Sequence, residues 1–204
     1  MPFWLDTAKR LEALAQAGLA YCTNEYDRDR YEELRQISLA MFHEYTGTPV
    51  EKISGLFSGE IAYPTPKVDV RGVVFRDKRI LMVREKLDGL WALPGGWADI
   101  GLSPREVVVK EVHEEAGLEV EPVRLLAVLD KKLHHHPPSP FYIYKIFILC
   151  REAGGDPRAG SETLDCGFFD LHELPPLSTG RNTEQQILTM ARLSENHPAE
   201  VLLD

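Results

Sequence analysis

Residues 103–117 form a segment whose two ends are both written into the sequence as helix ends. Ser103-Pro104-Arg105-Glu106 puts a serine at the N-cap, a proline at the first helical position and a glutamate three residues after the cap. That is a capping box, and proline costs nothing there because its missing N–H would have no helical partner. Gly117 is placed to take the left-handed conformation that ends a helix. Between these limits Val109, Val112 and Ala116 share one apolar face, while Glu111, Glu114 and Glu115 fall within about 100° of one another, off that face. Three carboxylates at i, i+3 and i+4 repel by roughly 0.2–0.5 kcal/mol per pair, and no cation stands four residues from Glu111 or Glu115. A solvated acidic face is one reading. A site for a hard divalent cation is the other, since Mg²⁺ and Mn²⁺ prefer carboxylate oxygens.

The wider pattern favours the second. Gly96-x5-Leu102-x7-Lys110-Glu111-Val112-x-Glu114-Glu115-x-Gly117-Leu118 resembles the Nudix box, Gly-x5-Glu-x7-Arg-Glu-U-x-Glu-Glu-x-Gly-U, with U a bulky aliphatic residue. Seven of nine defined positions match: Gly96, Glu111, Val112, Glu114, Glu115, Gly117 and Leu118. Leu102 replaces the first Glu and Lys110 the Arg. Lys110 keeps the charge but loses the guanidinium fork; Asp99 partly compensates for the carboxylate missing at 102. The approach Leu93-Pro94-Gly95-Gly96 also looks like the family's.

The resemblance implies an α+β fold, a Nudix α/β/α sandwich with a mixed sheet. It also implies hydrolysis of a nucleoside diphosphate linked to another moiety, with Mg²⁺ or Mn²⁺ as cofactor. Glu111, Glu114 and Glu115 would be the metal ligands, joined by the backbone carbonyl of Gly95 or Gly96. The general base would be a metal-bound box Glu or a Glu from a later loop, for which Glu162 is the candidate; an ordinary loop carboxylate is its simpler reading. Further text, Gly18-Leu19-Ala20-Tyr21, Tyr26 to Glu33 and Pro64 to Gly72, resembles the branch with a helical N-terminal domain that contains CDP-choline and ADP-ribose pyrophosphatases.

Hydrophobic residues make up 44% and charged residues 27% of the 204, which excludes a disordered or collagen-like chain. Charges interrupt every apolar run before the roughly 18 residues a membrane span needs, and the N-terminus lacks a signal-peptide core. A cytoplasmic protein without membrane contact is expected. The net charge of −9 disfavours RNA as partner. Cys22, Cys150 and Cys166 show neither zinc nor disulfide spacing and are expected to be buried, inert thiols.

Two helices are expected first, one around Leu11–Leu19 and one from about Arg28 to Tyr45, capped by Asn24 or Asp27 and ended at Gly47-Thr48-Pro49. Gly55–Pro66 is expected to be a linker. Val68–Phe75 and Ile80–Arg84 suit a hairpin across Asp77-Lys78, and Val120–Asp130 and Phe141–Cys150 suit strands. Asn182–Leu193 suits a last helix. The division is therefore a helical domain over 1–60 and a catalytic domain over 61–204, with a homodimer expected through the N-terminal helices. Lys67, Arg71, Arg84 and Lys86 are candidates to hold substrate phosphate, against surface charge; Trp97 is a candidate to stack on a base, against loop packing. His134-His135-His136 is expected in a solvated loop. Two other readings stay open: an RNA end-processing hydrolase, and a non-catalytic nucleotide sensor, which rests on Leu102 alone.

Overall fold

The structure, a computed structural model, describes residues 2–58, 63–195 and 200–204. The chain divides into two compact units, Met1–Pro66 with Pro138–Phe141, and Lys67–Pro137 with Tyr142–Asp204.

The first unit is built on helices α1 (Phe3–Tyr21), α2 (Glu25–Thr46) and α3 (Val50–Phe57). Asn24 caps α2 through Oδ1, which accepts from Asp27 N–H, and Gly47 ends it at φ 66°. The helices α1 and α2 run antiparallel: Ser38 Oγ donates to the Ala8 carbonyl, Trp4 stacks on Tyr45 at 4.7 Å, and a Cβ on Gly18 would lie 2.3 Å from the Tyr31 ring. Leu5, Ala8, Leu39, Phe42 and Ile53 form the core. Gly55–Pro66 was expected as linker, but Gly55, Leu56 and Phe57 belong to α3. Ile53 is buried and Phe57 packs at 5.8 Å on Phe42, which offsets the entropy cost of a helical glycine; the rest of that stretch lies partly at 59–62, outside the described residues.

The second unit is a mixed sheet between two helices. Its strands are β1 (Lys67–Arg76), β2 (Arg79–Glu85), β3 (Trp91–Ala92), β4 (Gly95–Trp97), β5 (Leu118–Asp130), β6 (Ile143–Gly155), β7 (Thr163–Phe169) and β8 (Leu202–Leu203). The order is β3-β2-β1-β6-β5-β8, with β4 on β1 and β7 on β2. Strands β1 and β6 run parallel, as do β5 and β8; the other pairs are antiparallel.

Alternation along the strands assigns the two faces. Val70, Val74, Leu81 and Val83 meet Val107, Val108, Val112 and Ala116 of helix α4 (Pro104–Ala116). Val73, Ile80, Met82 and Phe147 meet Ile187, Met190 and Leu193 of helix α5 (Glu184–Glu195). The α4 capping box is formed and Gly117 ends the helix at φ 70°. The buried stripe of α4 differs from the wheel, because Val108 replaces Val109 in the core and Glu115 is buried beside Ala116. Cys150 lies in the α4-side core, where burial pushes its thiol up to about 12.

Candidate active site

The end of β1 and the bend at β4 bring α4 close to the sheet. Gly95 sits at φ 139°, and a Cβ there would lie 2.1 Å from the Val70 carbonyl oxygen; only glycine permits this approach. The Gly95 N–H then donates to Glu115 Oε2 at 2.7 Å. A Cβ on Gly96 would touch Glu111 Oε2 at 3.0 Å, so the double glycine lets two carboxylates of one helix lie against a strand.

The loop after β6 closes the other side. Thr163 Oγ1 donates to the Glu115 carbonyl at 2.8 Å and accepts from Gly160 N–H, and Arg158 N–H donates to the Ala116 carbonyl. These bonds occupy carbonyls that the end of α4 leaves open. They carry Glu162 into the neighbourhood of Glu111 and Glu85, whose carboxyls its charge pushes up. Lys86 helps by donating its Nζ to the Ser161 carbonyl and its N–H to the Glu162 carbonyl, so it holds the loop.

Glu115 is buried, and burial pushes its pKa up to about 7; the Gly95 N–H and Arg71 oppose the rise, while Glu85 and Glu111 add to it. Half-buried Glu111 is likewise raised, first by burial. Glu114 is exposed and 3.6 Å from Lys110 Nζ, which also meets Asp99 at 2.8 Å and Glu111 at 3.8 Å. Asp99 is thus paired with Lys110, and the lysine at the Arg position still ties the loop to the acidic helix.

Among the described residues no three His, Cys, Asp or Glu side chains already converge as a metal cage. The donor set nevertheless suits a hard divalent cation. Glu111, Glu115 and Glu85 offer only oxygens, and burial first, then neighbouring carboxylates, raise all three. A hard cation relieves such a group.

The expected phosphate ligands fare differently. Arg71 is a correction: it is buried, with Nε and Nη2 on the two Asp69 oxygens at 2.7 and 3.0 Å and Nη1 on the Leu93 carbonyl. Its fork is spent inside the protein, and its charge reaches Glu115 and Glu85 instead. Arg84 is exposed and donates from Nε to the Gly89 carbonyl. Lys67 is half-buried at the start of β1, and Trp97, at the end of β4, is 50% exposed. The histidine loop is also more tied down than expected: His134 Nε2 lies 2.9 Å from Asp204 Oδ2 and His136 Nδ1 lies 2.7 Å from the Thr179 carbonyl oxygen.

Five further residues escaped the motif. Glu85 is buried and pairs with Arg181 at 2.6 Å. Asp69, Lys145 and Lys131 extend the charged group across the sheet. The signal was present: Glu85 follows Leu81 and Val83 in phase, Asp69 and Arg71 precede Val73 in phase, and Lys145 lies between Ile143 and Phe147. Charges at core phases of strands mark a site.

Comparison with known proteins agrees with this arrangement. A family profile for the NUDIX domain matches residues 65–190, and one described as the UDP-X-like, N-terminal oligomerisation domain matches 2–57. The chain belongs to the Nudix family and is a Nudix pyrophosphohydrolase. A Bacillus subtilis (strain 168) protein, YjhB, provisionally named an ADP-ribose pyrophosphatase, is 54% identical over 184 residues, 90% of this chain and 88% of its own. The crystal structure of an ADP-ribose pyrophosphatase from Streptococcus suis 89-1591 covers 69% of this chain and 100% of its own, at 46% identity and TM-score 0.63. That of a UDP-X diphosphatase covers 98% of both chains at 30% identity and TM-score 0.64.

Proposed function

We propose that the protein hydrolyses ADP-ribose in a divalent-metal-dependent reaction, with CDP-choline as the alternative conjugate. The observation that carries this reading is the group of buried Glu115 and Glu85 with half-buried Glu111 near the Gly95-Gly96 bend, in a chain similar over 90% of its length to a protein named for that activity. In the reaction a water oxygen bonds to one phosphorus and the anhydride P–O bond breaks, giving AMP and ribose 5-phosphate; the protons of the water pass to base and solvent.

Glu111, Glu114 and Glu115 would hold Mg²⁺ or Mn²⁺, with the Gly95 carbonyl as a further ligand; the metal supplies charge neutralisation on the phosphate oxygens and a more acidic water. The protein's own share is positioning. The Gly95 N–H aims the Glu115 carboxylate. Arg71 beside Glu115, and Arg181 and Arg71 beside Glu85, favour the ionised carboxylates against the cost of burial. Glu162, on a loop pinned to the end of α4, stands beside Glu111 and would take the proton from water. Lys67, Arg84 and Trp97 are the proposed outer contacts to substrate.

The domain boundary is placed at 60/61 in this reading, and the N-terminal helices form a homodimer. The matching profile is described as an oligomerisation domain, and α1 and α2 leave Phe3, Leu14, Tyr21, Tyr26 and Tyr45 exposed. None of the described helices is long and apolar enough to cross a membrane, and a cytoplasmic location is part of the proposal.

A substrate panel tests the reading: ADP-ribose, CDP-choline and a 5′-triphosphate RNA, each with Mg²⁺, with Mn²⁺ and with EDTA. AMP and ribose 5-phosphate, formed only with metal, are expected. Nucleotide binding without turnover under every condition would instead make the chain a sensor.

A further inference from the structure

Beside the carboxylate group lies a charged layer, two members of which, Lys131 and His136, have no part in the proposed hydrolytic step. Asp69 of β1 and Lys145 of β6 stand opposite each other in register, and both are buried together with Arg71. Asp69 is saturated: Arg71 lies at 2.7 and 3.0 Å from its two oxygens and Lys145 Nζ at 3.0 Å. Glu85, the next carboxylate, is held by Arg181 at 2.6 Å.

Lys131 enters this layer as a fourth cation. It opens the 3-10 turn Lys131–Leu133 that follows β5. Its charged neighbours are Asp69, Arg71 and Arg181, and its half-buried ammonium makes no hydrogen bond or ion pair among the described residues. Burial and the two arginines disfavour its charge. Close by, His136 holds the opposite defect. Its Nδ1 lies 2.7 Å from the Thr179 carbonyl oxygen. A carbonyl only accepts, so Nδ1 carries the hydrogen. Burial, with Lys145 and Lys131 adding, lowers the ring to about 4 and keeps it neutral. Its Nε2 is therefore a bare acceptor, and it is buried without a partner.

A cation whose one anionic neighbour, Asp69, is already saturated by Arg71 and Lys145 thus stands near an acceptor without a donor. Each is unfavourable alone, and one ligand bearing an anionic oxygen and a hydroxyl relieves both. We propose that Lys131 and His136 form a sugar-phosphate subsite, Lys131 binding a phosphate oxygen and His136 Nε2 accepting from a sugar hydroxyl. This deepens the reading of the chain as an ADP-ribose hydrolase and takes its substrate class from it. The phosphate would add a charge-assisted bond where the free protein has a surplus of cations.

The test reads binding in the absence of metal, so it does not depend on turnover. Ribose 5-phosphate and methyl phosphate are titrated into the full chain by calorimetry. Wild type should bind ribose 5-phosphate at least tenfold more tightly than methyl phosphate. Lys131→Met should weaken both at least tenfold, with an unchanged or higher Tm because an uncompensated charge is gone; Lys131→Arg should restore most of the binding. His136→Phe should erase the preference for ribose 5-phosphate while methyl phosphate binds as before. Wild type that binds neither phosphate, Lys131→Met that binds like wild type, or a preference that survives His136→Phe overturns the subsite. An inactive wild type that still shows this binding overturns only the hydrolase reading.

Discussion

Glu115 accepts the Gly95 N–H, which holds it against the bend at β4, and in the proposed reaction the same carboxylate would also hold a cation. Replacing it with glutamine keeps an acceptor for Gly95 and removes a charge that burial already disfavours. Glu115→Gln should therefore lower kcat on the order of 10³-fold while the Tm stays or rises; near-normal turnover in a steady-state assay would remove Glu115 from the metal site. Glu162 is exposed and holds the loop through its backbone only, so Glu162→Gln should lower kcat by roughly 10²–10⁴-fold with little change in the Mn²⁺ concentration needed for half activity. His136 adds a pH effect. The unfolded chain protonates this histidine below its ordinary value near 6.5, and the folded chain only near 4. Across that window the unfolded state binds more protons, so stability falls as pH falls. Urea titrations at pH 7 and pH 4.5 should show the loss, and His136→Phe should reduce its slope with pH.

At the scale of elements, the hairpin between β1 and β2 carries the most evident strain. Asp77 and Lys78 both have positive φ, 49° and 64°, as a two-residue turn with the twist of the strands requires. Lys78→Gly turns the pair into Asp-Gly and should stabilise the fold by about 0.5–1 kcal/mol, since a side chain in that conformation costs roughly 1–2 kcal/mol and glycine returns part of it in chain entropy. Thermal melts would show the rise. Helix α4 illustrates how far local rules reach. Its caps lie within three residues of the groups they bind, so both ends were legible. Its buried stripe was less so, because the helix rests on a sheet on one side and on the 156–163 loop on the other. The loop takes the Glu115 backbone carbonyl while Gly95 of β4 takes its carboxylate, and Glu115 is buried.

At the scale of the whole molecule, α1 and α2 leave aromatic and aliphatic residues exposed, and in the proposed homodimer a second copy of the chain would cover them. Light scattering should give a mass near twice 23.1 kDa at micromolar concentration; a monomer would refute the dimer. The helical N-terminal region, the strand-rich remainder, the acidic helix between its caps and the glycines before it were all determined by the sequence alone, because caps, turns and strand alternation act over a few residues. The meeting of Glu85, Arg181, Lys145, Lys131 and His136 was decided only by tertiary structure. These residues come from different strands, a 3-10 turn and two loops, separated by up to about a hundred positions, and the parallel register of β1 on β6 is what stacks Asp69 on Lys145. Burial on the same strand redirected Arg71. Its type and spacing suited a phosphate, but its phase along β1 pointed it at a buried carboxylate, and a buried fork goes to the nearest anion.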